Sequence, residues 1–99
     1  MGGCDFTVGA KGQTAKEAFS RAVTDAQYQS GHGGYTGTIA EKHSFVMMGA
    51  AKTKKEAYEM AYNFIDEGNE KIADKWGPAG CIEVEGVPDY WVFFGTASS

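Results

Sequence analysis

Phe45-Val46-Met47-Met48-Gly49-Ala50-Ala51-Lys52-Thr53-Lys54-Lys55-Glu56-Ala57-Tyr58 repeats, 39 residues on, the pattern of Phe6-Thr7-Val8-Gly9-Ala10-Lys11-Gly12-Gln13-Thr14-Ala15-Lys16-Glu17-Ala18-Phe19. Each segment opens and closes on an aromatic residue and carries Thr-x-x-Glu-Ala at the same place, and Ala22 and Ala61 extend the match. Further on, Gly37-Thr38-Ile39 matches Gly80-Cys81-Ile82 at an offset of 43. The added residues amount to about one helical turn. Phe45-Val46-Met47-Met48-Gly49 also resembles Trp91-Val92-Phe93-Phe94-Gly95. The chain therefore reads as one domain, 1–99, with an internal repeat spanning about 4–43 and 44–96.

Thr14-x-x-Glu17 and Thr53-x-x-Glu56 are capping boxes: the hydroxyl accepts from a free backbone N–H while the glutamate reaches back. Ala15, Ala18, Phe19, Ala22, Val23 and Ala26 follow at helical spacing, as do Ala57, Tyr58, Ala61, Phe64, Ile65, Ile72 and Trp76. The spacing predicts helices over 14–30 and 53–75, with Gly31 and Gly77 as stops. Cys4, Phe6 and Val8 alternate with Asp5 and Thr7, and Ile82 and Val84 with Glu83 and Glu85, as in strands with one wet face. Hairpins are expected at 41–44 and at 86–89, the latter fixed by Pro88. The predicted order is β-α-β-β-α-β-β. A duplicated βαβ unit points to an α+β, two-layer, ferredoxin-like sandwich, with two helices on one face of an antiparallel sheet. The alternative is another two-layer α+β sheet with a different strand order.

Tyr90-Trp91-Val92-Phe93-Phe94 does not alternate. Two helices on one face leave its other face bare. Either this strand is a self-association surface, with a homodimer the commonest solution, or it is a central strand covered on both sides by the chain itself. The first is the expectation carried forward.

The 99 residues carry 9 basic and 13 acidic side chains, a net charge of −4. Residues 50–99 hold nine acids against five lysines, and Arg21 is the one arginine. Nucleic acid is a poor partner for such a chain. No apolar run of about 18 residues is present to cross a membrane. Met1–Asp5 lacks the basic and apolar regions of a signal peptide, so the expected location is cytoplasmic. Cys4 and Cys81 form no CxxC pair and read as reduced thiols.

Candidate sites are few. Gly31-His32-Gly33-Gly34-Tyr35-Thr36-Gly37 carries four glycines in seven residues and can bring backbone N–H groups close to an anion. It matches neither the P-loop nor the dinucleotide fingerprint, and a plain connection after a helix is its simpler reading. Lys52, Lys54 and Lys55 crowd a helix start, where cations oppose the dipole and a bound anion would relieve them. In the ferredoxin-like order His32, Gly33, Gly34 and Tyr35 join these lysines at one end of the sheet, while Lys11, Lys16, Lys42 and His43 gather at the other; a solvated charge run is the simpler reading. Cys4, His32, His43 and Cys81 lack the paired spacing of a zinc site, and no cofactor is implied. Glu83 and Glu85 share a strand face and read as a solvated pair. His32 or His43 can act as an acid or base, but no nucleophile–base–orienter set is readable, so catalytic residues are not assigned.

Gly34-Tyr35-Thr36-Gly37-Thr38-Ile39-Ala40-Glu41-Lys42 resembles strings in small uncharacterised microbial and bacteriophage proteins. The resemblance covers about a tenth of the chain and brings no catalytic residues; it implies a phage or accessory-genome origin and a protein-binding role. The function expected first is a non-enzymatic module that self-associates through Tyr90–Phe94 and binds a protein partner, as an inhibitor or adaptor does. The second is a binder of an anionic small molecule or nucleotide at the His32–Tyr35 and lysine end. The third is a histidine-dependent hydrolase.

Overall fold

The computed structural model describes residues 3–30, 38–73 and 77–98. Strand β1 (Gly3–Lys11) leads through Thr14 into helix α1 (Ala15–Ser30), and a 3-10 turn at Ile39–Glu41 precedes β2 (Phe45–Ala51). Helix α2 (Lys54–Glu67) and the short α3 (Glu70–Ala73) then lead to the hairpin of β3 (Ala79–Val84) and β4 (Tyr90–Ser98). The fold is α+β, and the four strands form one mixed sheet in the order β1-β4-β3-β2. β4 runs antiparallel to both β1 and β3, while β2 lies parallel to β3.

The threonine half of each capping box forms: the Glu17 N–H donates to Thr14 Oγ1 at 3.2 Å and the Glu56 N–H to Thr53 Oγ1 at 3.1 Å. The glutamates go elsewhere: Glu56 Oε1 accepts from the Lys52 N–H, one residue before the cap, at 3.5 Å, and Glu17 Oε1 accepts from Arg21 at 3.3 Å. The second helix ends earlier than the apolar spacing implies. Gly68 takes the left-handed conformation, φ 65° and ψ 42°. The Gly68 and Asn69 N–H groups turn back to the carbonyls of Ile65 and Phe64 at 3.0 and 3.2 Å. Glycine reaches that backbone region without a Cβ clash, so the helix breaks there although Ile72 keeps the apolar rhythm.

Three further expectations are corrected. The segment at 38–41 is a 3-10 turn, not a strand, because Thr38 Oγ1 accepts from the Ala40 N–H at 3.2 Å and caps it. The match of Ile39 to Ile82 therefore joins a turn to a strand, and 41–44 connects that turn to β2 without a hairpin. The sheet is mixed rather than antiparallel, since α2 and α3 carry the chain from β2 to a parallel neighbour.

The helices also do not share one face. Successive strand side chains point to opposite faces. On β4, Phe93 packs with Phe6, Ala18, Ala22, Ile39 and Cys81, under α1 and the 3-10 turn. Its neighbours Val92 and Phe94 pack with Ala57, Ala61, Ile72, Ile82 and Val84, under α2 and α3. The rings agree: Phe19 of α1 lies 5.5 Å from Phe93, and Phe64 of α2 stacks on Phe94 at 5.6 Å. The sheet thus has a helix layer on each side. β4 is interior, and Val92, Phe93 and Phe94 are fully buried by the chain itself. The apolar reason for placing self-association on Tyr90, Trp91, Val92, Phe93 and Phe94 is removed.

Candidate functional site

Helix α1 presents Lys16, Phe19, Ser20, Val23 and Thr24 on one face, the i, i+3, i+4, i+7, i+8 spacing of a helical stripe. Opposite them runs the segment Lys42–Phe45, and the two enclose an open groove of about 530 Å³. Its floor is aromatic. Phe19 lies 5.1 Å from Phe45, and Phe45 lies 5.6 Å from Phe93 beneath. These tilted and edge-on contacts hold the rings in place.

The groove's rim is cationic and hydroxylic. Lys16, Ser20, Thr24, His43 and Ser44 are exposed around the apolar floor, and among the described residues no carboxylate lines it. Lys42 plays a different part. It is only 3% exposed, and its Nζ donates to the Gly77 carbonyl at 2.9 Å, fastening the segment before β2 to the chain before β3. A buried ammonium needs such a partner, because leaving it unpaired costs several kcal/mol or more.

Of the four residues expected to gather away from the α2 start, Lys16, Lys42 and His43 meet in this groove. Lys11 does not; it borders a separate depression with Gly12, Gln13, Arg21, Pro88 and Asp89. What the sequence did not single out is the groove's floor. Phe19, Val23 and Phe45 carry only a core signal in their spacing, and nothing in it shows that they remain partly open.

The α2 start is already engaged. Thr53 caps the Glu56 N–H, and the Lys54 ammonium sits 4.3 Å from the Tyr90 ring centre as a cation–π contact. Beneath it the Tyr58 and Tyr90 hydroxyls share a hydrogen bond of 3.1 Å. Burial, then this bond, pushes the Tyr58 phenol up to about 12. Lys52 and Lys55 are exposed. His32, Gly33, Gly34 and Tyr35, expected to join them, lie outside the described residues.

The cysteines are in different settings. Cys4 is exposed on β1; Cys81 is buried on β3, with β4 between the two strands. Burial, with a smaller contribution from Glu83, raises the Cys81 thiol to about 12. Glu83 and Glu85 are exposed. Among the described residues no group of histidines, cysteines and carboxylates is arranged to hold a metal, and no helix is long and apolar enough to cross a membrane. No protein-family model, curated protein or solved structure matches the chain.

Proposed function

We propose that this chain is a small non-enzymatic binding module whose partner is a protein segment carrying an apolar side chain flanked by carboxylates, seated in the α1–β2 groove. One observation carries the reading: Phe19, Val23 and Phe45 form an apolar floor while the cationic Lys16 and the imidazole of His43 stand at its rim. On a chain of net charge −4, a groove whose described lining carries lysine and histidine and no carboxylate selects acidic ligands locally and orients them as they approach. The aromatic floor supplies the anchor pocket, the part of an interface that usually dominates binding energy.

The test is a titration of the labelled protein with a blocked peptide, one leucine or phenylalanine flanked by glutamates, followed by amide chemical shifts. The reading expects shifts at Phe19, Val23, Ser44 and Phe45. Reversing the rim charge with Lys16→Glu should weaken binding about ten-fold, the scale of roughly 1.4 kcal/mol. Absence of shifts at millimolar peptide contradicts it. Shifts confined to Lys52, Lys54 and Lys55 would favour the second reading, an anion bound at the α2 start, which the exposure of Lys52 and Lys55 supports.

A further inference from the structure

Among the described residues the sheet has two unpaired edges, β1 and β2, and they are built differently. β2 carries a register shift between Met47 and Gly49 against β3. Such a bulge twists an edge away from further pairing. β1 carries none, and pairs with β4 in unbroken register from Gly3↔Ser98 to Lys11↔Tyr90. The Gly12 N–H continues that register onto the Asp89 carbonyl at 2.9 Å. Hydrogen-bonded and non-bonded pairs alternate in an antiparallel ladder. The even-numbered residues of β1 therefore face β4, and the backbone N–H and C=O of Asp5, Thr7, Gly9 and Lys11 point out of the edge.

The charges on this edge are self-complementary. Asp5 and Lys11 stand symmetrically about Val8 and, by strand alternation, on the same face as Thr7 and Gly9. In an antiparallel pairing of two β1 strands about a two-fold axis at Val8, Asp5 of each copy lies opposite Lys11 of the other. Thr7 then lies opposite Gly9, and Phe6 opposite Ala10. The outward-pointing residues fall together as hydrogen-bonded pairs, giving roughly eight backbone hydrogen bonds. Beside Asp5, a cleft between β1 and α2 is lined by Thr7, Tyr62, Ile65 and Asp66, with Tyr62 53% exposed. The arriving Lys11 would lay its methylenes along Tyr62 and Ile65 and its ammonium between Asp5 and Asp66. Among the described residues neither Lys11 nor Asp66 has an ion-pair partner within the chain.

We propose that β1 is a self-pairing edge, and that two copies of this chain join there into one continuous eight-stranded sheet. This is independent of the groove, which lies on the far side of α1 against β2.

Three measurements test it. Light scattering against concentration should give twice the chain mass, with Lys11→Asp raising the dimer dissociation constant about ten-fold. The exchange Asp5→Lys with Lys11→Asp should recover part of the lost affinity, because the Asp5–Lys11 pairing is reciprocal while Asp66 is unchanged. Mild oxidation of a Cys4→Ser, Val8→Cys variant should link two chains through Val8→Cys, whereas the unsubstituted chain, whose Cys4 residues lie far apart in this register, should stay unlinked. A monomer at millimolar concentration, a dimer indifferent to charge reversal, or failure of Val8→Cys to cross-link a dimer overturns the proposal. Loss of dimer in Lys11→Asp without recovery in the exchange also overturns it, provided both variants keep the native circular dichroism spectrum.

Discussion

Cys81 and Tyr58 show what burial does to groups that ionise by losing a proton. Each folded-state value stands at about 12, against 9.0 and 10.0 for the free groups. The unfolded chain thus releases these protons at lower pH than the folded one. Their contribution to stability is complete below about pH 9 and is lost as pH rises toward 12. Denaturant titrations should give a midpoint that falls over this window, and a Cys81→Ala, Tyr58→Phe variant should lose less over the same range. A midpoint flat from pH 9 to 12 would contradict the burial of both groups. At neutral pH the Cys81 thiol stays protonated and is a poor nucleophile, in keeping with a packing role. The sequence placed Cys81 correctly as a strand residue but said nothing of this environment, since burial belongs to the two helix layers and not to the neighbours in the chain.

At the scale of elements, local chemistry was legible where it is self-contained. The Thr-x-x-Glu boxes name both helix starts because the cap is made by residues three apart. The Gly68 break was not legible, because Ile72 continues the apolar spacing and one glycine competes with that rhythm weakly. Its backbone conformation makes it testable: a Cβ at Gly68 meets nothing within 4 Å, so Gly68→Ala strains only the left-handed backbone. We expect a loss of about 1 kcal/mol, with a smaller loss for Gly68→Asn, read from chemical denaturation. Equal stability for Gly68→Ala and the unsubstituted chain would mean that α2 runs on into α3. The 38–41 segment was misread for a related reason. Its Gly-Thr-Ile string matches a true strand, but Thr38 turns its hydroxyl onto the local backbone and closes a turn.

For the whole molecule, the unbroken apolar run Tyr90–Phe94 was correctly read as needing cover on both faces. Sequence alone does not distinguish a second copy from a second helix layer, because both demand the same side chains. The choice is made by the parallel β2–β3 connection, which carries α2 and α3 to the face that α1 leaves open. Gly80 belongs to the same packing: a Cβ there would run into the Phe94 ring, which Phe64 covers from the α2 side. With β4 enclosed, contact falls to other surfaces of the described residues, the α1–β2 groove and the β1 edge among them, and both proposals start from that enclosure.

The measurement that bears most directly on this arrangement is an isotope-filtered nuclear Overhauser experiment on a mixture of labelled and unlabelled chains. It separates contacts within a chain from contacts between chains. The Phe93 ring should show contacts to Phe19 and the Phe94 ring to Phe64, all within one chain. Contacts from Phe93 or Phe94 to a second chain would contradict this arrangement and return self-association to the apolar strand.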